Sequence, residues 1–490
     1  MIGRFKLTNV SRSIAKINAR SCSLLQKGWR RLCKIVANYL DLIVLNSILG
    51  RAPEISMNLF YLFVSLLICV STRADGNTRT QVKQSTERVE PNIIAWRRDF
   101  HEHPELGNRE IRTAGIVAKH LEALGIEVKT GVAKTGVVGL LKGAKPGPVV
   151  ALRADMDGLP VTERGGLPFA SKVKTTFNGR ETGVMHACGH DTHVAMLLGV
   201  ADVLAGMKND LHGTVKFIFQ PCEEGPPFGE EGGAELMVKE GVMENPHVDV
   251  VFGQHIWSNL EVGKIQYRPG GTMASSSDLQ IIVKGKSAHG ATPWSSIDPI
   301  VVAAQIINNL QPIISRNLNI SQNPGIVTIG SIHGGNRFNI IPETVELMGT
   351  IRAFSPGDEK MLSDRVKQVA LKTAESAGAT AEVKIPYSVR CPVTFNNPAL
   401  TEMMLPSLKK SAGAENVTMM PPKTVAEDFS FYQEKAPGLF VFLGGMPAGG
   451  NAETAPAHHT PDFTVDEGAL KLGVETLANL ALDYMELSQK

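Results

Sequence analysis

The alternation of apolar and polar positions predicts an α/β protein from residue 92 onward. Apolar residues at helical spacing predict helices over 92–105, 110–124 and 193–207. Short β-branched runs predict strands over 136–141, 148–153, 214–219 and 248–252. Continuous apolar strands that alternate with helices are typical of a sheet with both faces covered. The predicted fold class is therefore α/β, with a mostly parallel sheet.

The pattern changes near residue 274. Six elements follow in the order strand, helix, strand, strand, helix, strand, over 279–283, 299–314, 325–332, 344–353, 359–377 and 381–385. This order is the split βαβ arrangement of ferredoxin-like α+β domains. The α/β pattern then resumes with a helix over 398–412, a strand over 439–443 and a helix near 466–486. We predict a catalytic domain at 90–273 and 390–490, interrupted by an inserted lid domain at 274–389.

The amino-terminal segment 1–76 has a different character. Residues 1–55 carry ten Lys or Arg against two acids, while the whole chain has a net charge of only +2. The basic excess therefore lies outside the folded body, which argues against nucleic-acid binding. Residues 58–71 form an uncharged apolar run of signal-peptide length, with Met57 as a candidate start. We predict the secretory route (secreted, periplasmic or ER lumen) and no membrane span after cleavage; a single membrane anchor is the alternative.

The richest cluster of reactive side chains is His186-Ala-Cys-Gly-His-Asp-Thr-His193. On an extended chain Cys188 and His190 point to the same side. A thiolate and an imidazole together suit a borderline-soft divalent ion. Only three cysteines lie beyond the amino-terminal segment, so a disulfide framework is excluded.

Further polar side chains follow the predicted strands. They are Asp155, Asp157, Glu223, Glu224, His255 and His459. Open α/β sheets place their sites at the carboxyl ends of strands, so we expect these groups to converge. Several acids and imidazoles buried at one sheet edge require a cation. In the Glu223-Glu224 pair, one carboxylate is available to bind metal while its neighbour faces the substrate to move a proton.

These motifs resemble the co-catalytic metallopeptidase family of aminoacylases, hippurate hydrolases and plant indole-acetyl-amino-acid hydrolases. The resemblance runs from 92 to 486, through motifs at 101–107, 153–160, 185–193, 220–225, 334–342 and 426–430. It implies two divalent ions per subunit (Mn, Zn or Co) on the ligands Cys188, His190, Glu224, His255 and His459. Glu223 becomes the general base, and Asp157 a further catalytic candidate.

The resemblance also implies contacts from the inserted domain. His289 occupies the position of an oxyanion-stabilising histidine, while Asn339 and Arg352 match substrate contacts. A homodimer formed through the inserted domain is expected, together with a small N-acyl amino acid as substrate, hippurate-like or indole-acetyl-amino-acid-like. The alternatives are a metallo-carboxypeptidase or dipeptidase of the same family, and a catalytically inactive ligand-binding relative. A nucleobase deaminase and a serine hydrolase are disfavoured, because Pro-Cys-x-x-Cys and Gly-x-Ser-x-Gly are both missing.

Overall fold

Two helices lead into the fold of the computed structural model, which describes residues 80–227, 229–388 and 390–489. Helix α1 covers 80–102, and helix α2 covers Ile111–Ala123. The first begins well before the predicted residue 92, because Val82, Ser85 and Thr86 are also buried and extend its packed face. The predicted signal core at 58–71 lies outside the described residues. Within the described residues, no helix is both long and apolar enough to cross a membrane.

The first part of the predicted catalytic domain contains nine strands and two further helices. The strands are β1 (Glu127–Val132), β2 (Gly136–Lys142), β3 (Lys145–Asp155), β4 (Lys174–Phe177), β5 (Arg180–Gly183), β6 (His212–Gln220), β7 (Val250–Glu261), β8 (Ile265–Tyr267) and β9 (Gly270–Met273). The helices are α3 (His190–Gly206) and α4 (Gly233–Lys239). The sequence pattern missed β1, the β4–β5 hairpin, β8, β9 and α4, which are short or only partly buried.

The inserted segment forms a sheet of its own. Its strands are β10 (Ser276–Lys284), β11 (Ala288–His289), β12 (Ile326–Gly334), β13 (Ile340–Ile341), β14 (Thr344–Arg352) and β15 (Thr380–Lys384). Its helices are α5 (Pro299–Leu310), α6 (Pro312–Asn317) and α7 (Pro356–Ser376). The antiparallel order β12-β14-β10-β15 is that of a ferredoxin-like domain. The single predicted helix 299–314 is two helices, because Pro312 lacks an N–H and starts a new one.

The last part of the chain, from residue 390, contributes two of its four strands to the large sheet. Its strands are β16 (Arg390–Cys391), β17 (Thr394–Asn396), β18 (Val417–Met419) and β19 (Gly438–Met446), and its helices are α8 (Pro398–Ala412), α9 (Ser430–Gln433) and α10 (Ala469–Leu487). The eight-stranded order is β1-β2-β6-β3-β7-β19-β8-β18. Its central strands β6, β3, β7 and β19 are parallel, whereas β1 and β2 add antiparallel pairings at one edge. The α/β class is confirmed, with a mixed sheet that is parallel at its centre. The part of the chain that begins at Thr80 forms one compact unit. The boundaries of the inserted lid domain, 274 and 389, therefore stay a prediction.

Helix α3 sets the position of the candidate site. Every residue from His190 to Ala201 is buried, since the helix packs against both β3 and α10. A helix that is buried on all sides is held firmly in place. Its amino end, which carries His190, meets the carboxyl ends of the central parallel strands.

Candidate metal centre

A left-handed turn brings Cys188 and His190 together. Gly189 has φ of 96° and precedes α3, and an added Cβ would lie 2.4 Å from the Ile256 side chain. The predicted extended geometry is therefore wrong. His190 Nδ1 donates to the backbone oxygen of Asp157 at 2.9 Å, which leaves the lone pair on Nε2. That Nε2 is buried and has no hydrogen-bond partner among the described residues.

His255 presents a second free imidazole nitrogen. Strand β7 continues to Glu261, so His255 lies inside the strand. The prediction that His255 follows the end of this strand is therefore wrong. It stands just beyond the ladder with β3, which reaches only Gly253. Its Nδ1 donates to the backbone oxygen of Ile256 at 2.5 Å, and its Nε2 lies 3.4 Å from Cys188 Sγ. Both lone-pair atoms thus face the same space.

Of the two adjacent histidines at 458 and 459, only the second is free to bind metal. His458 Nδ1 donates to the backbone oxygen of Cys188 at 3.2 Å, and its Nε2 accepts from Ser258 N at 3.1 Å. Burial lowers the pKa of His458 to about 3, so its ring is neutral. His459 Nε2, by contrast, approaches Glu224 Oε1 at 3.0 Å. That oxygen forms no hydrogen bond within the described chain.

The five predicted ligands fall into two sets that share one atom. Cys188, His190 and His255 form one set, and Cys188, Glu224 and His459 form the other; the ligand atoms of each lie within 4.8 Å of one another. Burial lowers the pKa of His190, but carboxylates led by that of Asp155 outweigh it and raise the pKa to about 10. Such an excess of negative potential, with orphaned lone pairs on His190 and Glu224, fits divalent cations.

Glu223 lies beside these two sets, within 4.8 Å of the ligand atoms of His190 and Glu224. Its carboxylate lies within 4.8 Å of those of Glu427 and Asp428, while Oε2 remains 3.9 Å from His190 Nε2. Glu223 and Glu224 lie in a turn that follows Cys222, whose φ is 59°. Burial, followed by repulsion from Glu427, raises the pKa of Glu223 well above its usual range. A carboxylate made more basic in this way is suited to accept a proton.

Asp157 contacts two of the ligand candidates. Its Oδ1 lies 3.2 Å from His190 Nδ1, and its Oδ2 accepts from Glu224 N at 3.0 Å. Such a carboxylate fixes the tautomer and orientation of a metal-binding imidazole. These contacts suit a positioning role, and the catalytic role of Asp157 stays a prediction.

A buried arginine network that the sequence reasoning did not single out lies behind the site. Arg153 forms ion pairs with Asp155 at 2.6 Å and with Glu427 and Asp428 at 2.9 Å. Asp155 also accepts from His193 Nδ1 at 2.6 Å. This hydrogen bond explains the buried position of His193 without a metal ion. The motifs at 153–160 and 426–430 contained these residues, but nothing in their local pattern revealed that they meet.

Comparison with known proteins places the chain in a family. The profile described as "Peptidase family M20/M25/M40" matches residues 151–483. The chain belongs to this family. It is therefore a metal-dependent hydrolase that acts on amide bonds, as the sequence predicted.

Relatives of this family resemble the chain over most of its length. It is 42% identical over 405 residues to Thermostable carboxypeptidase 2 of Saccharolobus solfataricus, covering 82% of this chain and 98% of the relative. It is 40% identical over 398 residues to N-acetylcysteine deacetylase of Bacillus subtilis, covering 80% and 97%. Among solved structures, the Bacillus subtilis YXEP protein, a dinuclear metal binding peptidase from the M20 family, is 35% identical with a TM-score of 0.66. That match covers 82% of this chain and 99% of the YXEP chain.

The predicted contacts in the inserted domain do not lie together. His289 pairs with Ile340, next to Asn339, beyond the Lys284 end of β10. Arg352 lies beyond the opposite end of the β10–β14 ladder, which at about 3.3 Å per residue is roughly 20 Å long. Among the described residues, none of these three side chains forms a hydrogen bond or ion pair with the five ligand candidates.

Proposed function

We propose that this protein hydrolyses the amide bond of N-acyl amino acids at a centre of two divalent ions. The observation that carries the proposal is the pair of ligand sets that meet at Cys188, with Glu223 beside them. Mixed thiolate, imidazole and carboxylate ligands suit Mn, Zn or Co. The names of two relatives support the proposal, since one is a deacetylase of an N-acyl amino acid and the other a dinuclear peptidase.

The mechanism follows from the side chains around the proposed centre. Divalent ions at the two sets would polarise the scissile carbonyl and acidify a water molecule. Glu223 accepts a proton from the attacking water and delivers it to the leaving amine, so one carboxylate serves both steps. Asp157 keeps His190 and Glu224 in place throughout, and Arg153 holds Glu427 next to the base.

His289 is preset as a hydrogen-bond donor. Its Nδ1 accepts from Ala291 N at 3.0 Å, so the proton of the neutral ring is on Nε2, and the side chain is exposed. We assign it to the oxyanion that develops in the transition state. Asn339 Oδ1, which is buried and has no hydrogen-bond partner in the described chain, is assigned to the substrate, as is Arg352.

We further propose a homodimer in which each inserted domain completes the site of the other copy. The β10–β14 ladder, roughly 20 Å long, lies between His289 and Arg352 within one chain, which is farther than a small substrate reaches. The edge strand β12 and two exposed aromatic residues support an interface, since Trp294 is 81% and Phe338 95% exposed.

The dimer proposal is tested by mixing two inactive variants, Glu223→Gln and His289→Ala. If His289 acts on the other subunit, the mixed dimer contains one site with both residues and regains activity. If His289 acts within its own chain, the mixture stays inactive. Light scattering on each variant checks that both remain dimeric.

The substrate class is tested by turnover of the metal-reconstituted protein on a panel of N-acyl amino acids. We expect amide cleavage with release of the free amino acid. A second candidate, a carboxypeptidase or dipeptidase, is favoured by the name of the archaeal relative. The panel therefore includes dipeptides with a free amine, and exclusive cleavage of these would replace the first proposal with the second.

For the compartment, we propose a secreted or lumenal protein whose mature chain begins shortly after 72–74. The proposal rests on the apolar run at 58–71. Amino-terminal sequencing of secreted material tests it, and cytosolic protein with an intact Met1 end would contradict it.

A further inference from the structure

A lysine without a counter-ion lies beside the metal centre. Lys423 places its Nζ 4.0 Å from the centroid of the Trp257 ring and 5.4 Å from that of Phe442. The side chain is half-buried, and no hydrogen bond or ion pair joins its ammonium group to any described residue. Burial lowers the pKa of Lys423.

Trp257 connects this ammonium group to the proposed metal ligands. The Trp257 ring lies 5.8 Å from the ring of His255 and 4.7 Å from that of His458, measured between centroids. His255 Nε2 in turn faces Cys188 Sγ. The free cation therefore stands one aromatic ring away from the ligand sets.

The backbone holds Lys423 where the inserted domain joins the catalytic one. Its N donates to the backbone oxygen of Thr272, and its own oxygen accepts from Ala274 N, both at 3.0 Å. Ser275, the next residue, donates its N–H to the backbone oxygen of Ala353, and Ala353 N donates to the Ser275 hydroxyl; Ala353 follows Arg352. Lys423 and Arg352 lie on the two sides of this junction, and neither has a carboxylate partner among the described residues.

The site contains many carboxylates, yet none is paired with Lys423. Asp155 is paired with His193 and Arg153, and Asp157 accepts from the backbone N of Glu224. Glu224 Oε1 faces His459 Nε2 at 3.0 Å, and Glu427 and Asp428 are paired with Arg153. An ammonium group that is partly buried without a partner is unfavourable, and nearby divalent cations add repulsion. An anionic ligand removes both costs.

We propose that Lys423 is a specificity-determining residue that binds the carboxylate of an N-acyl amino acid. The inference rests on the proposed function, because it names the part of the substrate that distinguishes a free acid from a neutral amide. The aromatic ring of Trp257 keeps the ammonium group in place at the edge of the centre, and the substrate carboxylate binds to that ammonium group. Arg352 approaches the same carboxylate from the inserted domain.

The test measures binding separately from turnover. Calorimetry on metal-replete Glu223→Gln protein gives the affinity for N-benzoylglycine and for its carboxamide. Adding Lys423→Met should weaken binding of the acid by about 10- to 100-fold, because a hydrogen bond to a charged group is lost. Binding of the carboxamide should change by less than about threefold, since surface or neutral contacts contribute little. Lys423→Arg, which keeps the charge, should retain most of the affinity for the acid.

The matched control is Lys384→Met, because Lys384 also lies over an aromatic ring, that of Tyr387 at 5.7 Å, but in the inserted domain. It should leave both affinities unchanged. Equal losses for acid and carboxamide in Lys423→Met, no loss at all, or no binding of the acid before Lys423 is changed would each overturn the inference. Tight, Lys423-dependent binding of the acid without hydrolysis by the unsubstituted enzyme would instead refute the proposed function and leave the role of Lys423 standing.

Discussion

Replacing Asp157 with Asn tests whether this carboxylate positions the metal centre. Asp157 accepts from Glu224 N through one oxygen and lies beside His190 Nδ1 through the other. Asn keeps the size of the side chain but has one acceptor oxygen instead of two. Either the backbone N–H of Glu224 or the Nδ1–H of His190 would therefore face the side-chain NH₂ group. The backbone oxygen of residue 157 still accepts from His190, so the imidazole tautomer is retained.

The size of the effect follows from the contact that is lost. One hydrogen bond to a charged group contributes about 1.5–3 kcal/mol. At about 1.4 kcal/mol per factor of ten, metal affinity should fall about 10- to 100-fold. Titration with a competing chelator measures this affinity directly, and the unfolding of the metal-free protein shows whether the fold is intact.

The control for this prediction is Asp249→Asn. Asp249 also accepts a backbone N–H, that of Val149 at 2.7 Å, but at the amino end of the parallel strands. It should leave metal affinity unchanged. The reasoning is refuted if Asp157→Asn binds metal as tightly as the unsubstituted protein, or if both variants lose affinity alike.

Three further outcomes are expected. Glu223→Gln should keep its metals and lose about 100- to 10,000-fold in turnover, because only the base is removed; unchanged turnover at full metal content would exclude that role. His289→Ala should lower kcat about 100- to 1000-fold, whereas Arg352→Ala should mainly raise KM, since an oxyanion contact exists chiefly in the transition state. Lys216→Met should lower the free energy of unfolding by about 3 kcal/mol, because buried Nζ donates to three backbone oxygens at 2.7–2.9 Å; denaturant unfolding measures it, and a loss below about 1 kcal/mol would contradict it.

The inserted domain shows how much a local pattern determines. Its six predicted elements occur in the predicted order, and the sheet order β12-β14-β10-β15 follows from that alternation. Apolar periodicity is a property of neighbouring residues, so it identifies helices and strands without knowledge of the fold. It missed the two-residue strands β11 and β13, which are too short to show a period, and it failed at Pro312, which divides one apolar run into two helices.

The sequence alone determined the α/β class, the family and the set of chemically suited side chains. It did not determine which of these side chains are free to act. Two adjacent histidines are equivalent as a pattern, yet His458 uses both ring nitrogens for hydrogen bonds while His459 meets Glu224. Lys423 and Trp257 are remote in the chain and meet only in the fold. The physical reason is that a ligand is defined by an unused lone pair or an unpaired charge, and only tertiary packing decides which groups are left with one.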